Sequence, residues 1–228
     1  MLTTSTPEPG LAVFDLDGTI TRSDSLGPYV LGFLMQKPWP ARIGRMLALL
    51  RVAPAVIRFF LHLADEGQVK SAFIKATLGG ATRSDLDAWT ARFVPQLLKR
   101  GLFAAAVAQI AVHQRQGDHL VLMSASTDLY VPAVGRALGF AEIICTGVRW
   151  DGDRLDGELT TPNRRGEEKA RCFTALREQH PGLTAAAYGN ASSDLPHLRL
   201  ADQGVLVNGT PSARLAAARD GITCVEWR

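Results

Sequence analysis

The sequence predicts an α/β fold: a three-layer, Rossmann-like parallel-sheet core with an inserted helical cap. Three observations carry that expectation. Short apolar runs of the kind that form fully buried strands recur at Leu11-Ala12-Val13-Phe14 and over 119–123, 184–188 and 204–207. Helical stretches over 103–116 and 168–178 lie between them, and buried strands alternating with helices give a parallel sheet covered on both faces. Residues 24–98 break the alternation, because they contain no convincing strand and read as helices.

Residues 1–10, with two prolines and a glycine, read as a loose tail. The first strand ends in the polar burst Asp15-Leu16-Asp17-Gly18-Thr19. The helical piece over 24–98 follows that loop directly, so the core is expected over 11–23 and 99–228 with the cap over 24–98. The second strand ends at Ser124 and leads to a helix from about Asp128. Val148-Arg149-Trp150 and Arg154-Leu155 flank Asp151-Gly152-Asp153, a plausible hairpin turn. The third strand ends at Gly189-Asn190. In open α/β sheets ligands gather beyond the carboxyl ends of the strands, and Asp15, Ser124 and Asn190 all fall at that edge.

Composition sets limits. At 228 residues the chain can bury one sizeable core, or a core with a small insertion. A net charge of +3 is too small to argue for a nucleic-acid partner. Cys145, Cys172 and Cys224 are odd in number and far apart, so neither a disulfide framework nor a zinc site is suggested by them. The five histidines are scattered singly, and none reads as a ligand. The opening MLTTSTPEPG has no basic region and no apolar run, so the expected location is cytoplasmic.

The chemistry concentrates after the first strand. Two carboxylates two residues apart at the end of a buried strand are costly unless a cation or hydrogen bonds offset them. A hard, oxygen-seeking ion such as Mg2+ would do so. One carboxylate could attack phosphorus; the other could protonate a leaving oxygen and then deprotonate water. The plainer alternative is that Asp17 or Thr19 caps a following helix. Ser124 could hold a phosphate with the free N–H groups of a helix start, or Ser126 or Thr127 could simply cap that helix. Lys169 could reach the phosphate and the nucleophile, or be a surface lysine. Asn190 and Asp194 could complete a metal site, or form an Asx turn and a helix cap.

In this order the four pieces resemble the haloacid dehalogenase superfamily: DxDGT, a hydrophobic strand ending in Ser or Thr, a Lys, and an acidic pair after a strand. The insertion after the first motif and Asn190-Ala191-Ser192-Ser193-Asp194-Leu195-Pro196 look like the phosphoserine phosphatase-like branch, subfamily IB. Within it the chain is most similar to the group holding phosphatidylglycerophosphate phosphatase C. The resemblance implies a magnesium-dependent phosphatase working through an aspartyl-phosphate. It implies Asp15 as nucleophile and metal ligand, and Asp17 as acid/base with its carbonyl on the metal. Ser124 and the Ala125 N–H would bind phosphate, and Lys169 would neutralise charge between phosphate and Asp15. Asp194 would hold the metal, and Asn190 stands where the family usually has Asp. Asp24 is implied as a contact to a substrate amine, or it caps the first cap helix. Lys75 falls roughly where phosphoserine phosphatases carry a substrate-binding Arg.

The substrate is the open question. No acid occurs over 25–64, whereas Lys37, Arg42, Arg45, Arg51 and Arg58 do, among dense apolar residues. Such a piece can lie in a membrane interface, peripheral at the inner face, and bring the site to a phospholipid. It can equally be cap core with the arginines snorkelling outward. The expected substrate is therefore a small phosphorylated molecule, with a lipid or glycerol-phosphate head group preferred. Phosphoserine is the alternative, and a non-catalytic binding protein on the same fold is the rival of a different class.

Overall fold

The computed structural model describes residues 9–228, so most of the tail expected over 1–10 lies outside the described residues. Strands β1 (Leu11–Phe14), β2 (His119–Thr127), β3 (Glu142–Thr146), β6 (Ala185–Gly189), β7 (Gln203–Val207) and β8 (Thr223–Val225) pair in parallel, in the order β3-β2-β1-β6-β7-β8. The chain builds outward from β1 in one direction and then in the other. β1 is therefore the switch point, and a crevice opens beyond its carboxyl end.

Side-chain alternation explains why every residue of β1 is buried. Ala12 and Phe14 join one core with Leu120, Leu122, Ala186 and Tyr188, while Leu11 and Val13 join another with Val121, Met123, Ala185 and Ala187. Helices α6 (Ala104–Gln116) and α7 (Val131–Ala137) supply side chains to the first core. Helices α8 (Glu167–Gln179), α9 (Leu195–Leu198) and α10 (Pro211–Arg219) supply the second.

Two boundaries differ from the sequence reading. β2 does not end at Ser124 but continues to Thr127, because pairing with β3 resumes at Thr127↔Thr146 after an irregularity between Met123 and Thr127. The next helix starts at Val131 rather than near Asp128, with a proline in its first turn. The expected hairpin is present as β4 (Val148–Asp151) and β5 (Arg154–Leu159), turning through Gly152 at φ +56°.

Between β1 and α6 come α1 (Leu26–Met35), α2 (Trp39–Ala48), α3 (Ala53–Phe60), α4 (Glu66–Thr77) and α5 (Arg83–Arg100). Tyr29 of α1 anchors this helical insertion: its ring stacks on Tyr130 at 4.6 Å and its hydroxyl hydrogen-bonds with Thr90 at 2.8 Å. Trp89 Nε1 donates to the Tyr29 carbonyl at 2.9 Å, and Trp89 packs so close to Gly32 that a Cβ there would lie 2.4 Å from its ring. The β4–β5 hairpin lies against α4, where Ser71 donates to the Gly157 carbonyl and Lys75 pairs with Glu158. α3 buries no residue. Of the fifteen large apolar side chains that stand exposed among the described residues, twelve fall between Leu31 and Leu63. No helix among the described residues is long and apolar enough to cross a membrane.

Phe14 holds the end of β1 against its neighbours. Its ring is fully buried, stacks on Tyr188 at 4.3 Å and meets His113 and Phe140 edge-on. Phe14→Ala is expected to cost about 3–5 kcal/mol in urea denaturation, the usual penalty for an aromatic cavity.

Candidate active site

Asp15 is the first residue beyond β1, and its backbone N–H still donates to the Tyr188 carbonyl at 2.9 Å. That bond points its carboxylate into the crevice. The chain then turns at Gly18, whose φ is +81° and where a Cβ would fall 2.1 Å from Asn190 Nδ2. Only glycine fits there. Thr19 does not cap a helix; its hydroxyl donates to Asp15 Oδ2 at 3.0 Å. Asp17 accepts from the Ser25 N–H at 2.8 Å on one oxygen and from the Ser126 hydroxyl at 2.5 Å on the other.

Lys169, in the first turn of α8, is 2% exposed and is not a surface lysine. Its ammonium donates to Asp15 Oδ1 at 2.6 Å and to Asp194 Oδ1 at 2.7 Å. Burial works against that charge, but the two carboxylates outweigh it and hold the ammonium above the lysine range. Asp194 Oδ2 accepts from the N–H groups of Asn190 and Ala191 at 3.1 and 3.0 Å. Burial would raise the Asp194 carboxyl, yet Lys169 brings it down to about 2. Asp15 goes the other way: burial raises it to about 7 despite the same lysine. Burial also raises Asp17 above the ordinary carboxylate range, against its hydrogen bonds to Ser126 and Ser25.

Of the four cations that line the cleft, Arg22, Lys70, Arg165 and Lys169, Lys169 is the one that pairs with Asp15 and Asp194. Two buried carboxylates sharing one ammonium, in an oxygen-rich setting with Asp17 and the Asn190 amide beside them, fit a hard divalent cation such as magnesium.

The cleft above these groups has a volume of about 440 Å³. Of the residues singled out in the sequence, Asp15, Asp17, Asp24, Ala125, Lys169, Asn190 and Asp194 line it. Asp24 also accepts from the Gly27 N–H at 3.1 Å, so it serves the start of α1 as well. Ser124 is fully buried behind the wall, where its Oγ accepts from the Ser126 N–H at 3.0 Å, and Ser126 rather than Ser124 lines the cleft. The structure does not bring Lys75 to the cleft. It is half-exposed on α4 and pairs with Glu158 at 2.6 Å and Asp156 at 3.8 Å.

Lys70, on the same helix, reaches the cleft instead and was not foreseen. Its ammonium donates to the Ala125 carbonyl at 2.7 Å and to Asn163 Oδ1 at 2.5 Å, and burial lowers it to about 8. The one signal for it is periodic: it lies four residues before the fully buried Ile74, hence on the inward side of α4. Arg165 also lines the cleft and pairs with Glu66 at 3.2 Å, a second tie between the insertion and the core.

Comparison with known proteins decides the family. Residues 12–199 match the haloacid dehalogenase-like hydrolases, described as HAD. The chain belongs to that family. This HAD chain is 33% identical over 201 residues to Protein CicA of Caulobacter vibrioides, covering 86% of the chain and 85% of CicA. It is 27% identical over 214 residues to a probable phosphatase of Mycobacterium tuberculosis, covering 92% of the chain and 72% of that protein. Its fold matches a probable phosphoserine phosphatase from Vibrio cholerae with a TM-score of 0.69 at 17% identity, over 97% of the chain and 61% of that one. The HAD chain is thus a hydrolase by family, with a fold shared with that probable phosphoserine phosphatase.

A stability measurement tests the charge balance of the site. In cation-free protein the raised Asp15 and Asp17 carboxyls make the folded state bind more protons than the unfolded chain between the ordinary value of 3.8 and about 7. Stability should therefore rise as pH falls through that window. Asp194, held down, opposes this only nearer its own unfolded value. His197, held down to about 3 by burial, opposes it below its ordinary 6.5, so the Tm of chelator-treated protein should climb between about pH 8 and about pH 6.5, and excess magnesium or Asp15→Asn should flatten the climb. Equal slopes with and without magnesium would contradict the charge assignment.

Proposed function

We propose that the chain hydrolyses a phosphate monoester by way of an aspartyl-phosphate on Asp15, with magnesium as cofactor. The observation that carries this reading is the Asp15–Lys169–Asp194 cluster at the end of β1, open to a cleft with Asp17 on its wall. In the first half-reaction an Asp15 oxygen bonds to phosphorus as the bond to the ester oxygen breaks. Asp17 gives that leaving oxygen a proton, and burial shifts its carboxyl toward the protonated form. In the second half Asp17 takes a proton from water, the water oxygen bonds to phosphorus, and the bond to Asp15 breaks. Lys169 offsets charge on Asp15 and the phosphoryl oxygens, and the Ala125 N–H on the cleft wall holds those oxygens, with Ser124 buried behind it as a support. Asp15, the Asp17 carbonyl, Asn190 and Asp194 would hold magnesium, which would supply charge stabilisation to the transferring group.

In this reading residues 24–98 are a cap over a core of 11–23 and 99–228, and the cap selects the substrate. A second cavity of about 510 Å³ adjoins the cleft, sharing Leu26, Lys70 and Arg165 with it, and is otherwise lined largely by Val52, Val56, Phe59, Val69 and Phe73. An apolar cavity beside a phosphate site suits an ester with an apolar part, and supports a lipid or glycerol-phosphate head group. The exposed apolar residues over 31–63, with Arg42, Arg51 and Arg58 among them and no acid, support contact with an anionic membrane surface. Asp24 on the cleft wall favours the second reading, an amine-bearing substrate such as phosphoserine.

Two experiments test these readings. Asp15→Asn is expected to lower kcat by at least ~10³-fold on any substrate while keeping the fold, since a neutral amide is a poor nucleophile. Phosphate release close to wild type would remove Asp15 from the role. Flotation with anionic and neutral vesicles tests the membrane contact: wild type should float with the anionic ones, and Arg51→Glu with Arg58→Glu should weaken this without changing turnover of a small soluble ester. A wild-type chain that stays wholly in the soluble fraction at low salt moves the substrate to phosphoserine.

A further inference from the structure

The opposite edge of the sheet holds a second group of ligand-type side chains. His119 opens β2, Glu142 opens β3, and His180 follows directly on α8. The fold explains their meeting. Glu142 is the register partner of Val121, and His119 lies two residues before Val121, so the two side chains share one face of the sheet. Val121 belongs to the core that Phe173 and Leu176 of α8 cover, so this is the α8 face, and His180 closes over it.

The donor atoms converge on one carboxylate oxygen. His119 Nε2 lies 3.4 Å and His180 Nε2 4.0 Å from Glu142 Oε2, and the three donors all lie within 4.8 Å of one another. These distances are long for hydrogen bonds. The 3.4 Å separation matches the roughly 3.3–3.5 Å between donors sharing a tetrahedral ion bound at about 2.0–2.2 Å, and side-chain rotation on binding closes the longer ones. The imidazoles are tilted by 36° with centroids 4.5 Å apart, and all three side chains are about one-third exposed, which leaves an entry path. The backbone is fixed at both histidines: the His119 N–H donates to the Gly10 carbonyl at 2.8 Å, and the His180 N–H to the Leu176 carbonyl at 3.1 Å.

We propose that His119, Glu142 and His180 form a divalent transition-metal site, best suited to zinc, separate from the catalytic cleft. Two imidazoles and a carboxylate are ligands that zinc takes and magnesium does not favour, so the two sites select different ions. Five residues of β2 separate His119 from Ser124, a span of about 16 Å, so one ion cannot serve both. The site has three protein ligands and a fourth position open to water. It ties β2, β3 and the end of α8 together. Since α8 carries Lys169 at its other end, the bound ion secures the helix that delivers the buried lysine.

The test is isothermal titration of Zn2+ into untagged, chelator-stripped protein saturated with Mg2+, with Co2+ absorption as a second readout. One Zn2+ per chain at micromolar affinity or tighter is expected, with visible Co2+ bands of a four-coordinate site. His119→Ala and His180→Ala should each weaken binding by more than about 10-fold. Asp15→Asn should bind zinc as wild type does. His180→Gln keeps bulk and polarity, and replaces His180→Ala should the latter disturb α8. At zinc a hundredfold above Kd, wild type should gain at least roughly 5 °C in Tm and the histidine variants should not. Zinc binding unchanged in both histidine variants, lost in Asp15→Asn, or absent from wild type would overturn the site.

Discussion

The Lys169 ammonium sits between Asp15 and Asp194 with almost no access to water. A buried charge is tolerated only where partners replace its hydration, and three separate elements must meet for that to happen. β1 delivers Asp15, the turn after β6 delivers Asp194, and α8 delivers Lys169. β1 and β6 are hydrogen-bonded neighbours, and α8 covers the face of the sheet that Leu11 and Val13 share with Ala185 and Ala187. The parallel order around β1 is thus what brings the acids and the lysine together. Asp15 and Asp194 share that one ammonium, an arrangement that fits a hard divalent cation.

The helical insertion is joined to this core at two levels. Away from the cleft, Tyr29, Trp89 and Tyr130 form an aromatic cluster with satisfied polar atoms. At the cleft, Lys70 reaches from α4 to the Ala125 carbonyl and Asn163, and Glu66 pairs with Arg165. The second set is polar and involves residues that line the cleft, so a substrate entering there meets side chains of both parts. The twelve large apolar side chains exposed between Leu31 and Leu63 lie on or beside the helices that wall the second cavity.

Much of this was legible in the residues. The apolar run ending in Asp15-Leu16-Asp17-Gly18-Thr19 marked both the central strand and the site, because a carboxylate pair after a buried strand has few structural uses. Lys169, Asn190 and Asp194 followed from their order along the chain, and all line the cleft. What stayed hidden depends on tertiary contacts. Ser-Ala-Ser-Thr reads as the end of a strand, yet β3 keeps it extended. β3 and β8 are short, and β8 is an exposed edge, so neither carries a strong periodic signal. Lys75 was expected near the substrate and Lys70 was not, since one helical turn decides which lysine faces inward and no local motif marks it. Hydropathy could not say whether the stretch over 25–64 packs inside or faces outward; α3, with no buried residue, faces outward. His119, Glu142 and His180 are distant in sequence and meet only through the sheet register.

The proposed chemistry makes a covalent claim about one atom group, the Asp15 carboxylate, and it can be read directly. Protein turning over a phosphate monoester in the presence of magnesium is quenched in acid, digested and mapped by mass spectrometry. The account predicts the added mass of one phosphoryl group on the peptide containing Asp15, removable by hydroxylamine and absent from Asp15→Asn. Active protein whose only phosphoryl label lies on another residue, or which releases phosphate with Asp15 replaced, would contradict it.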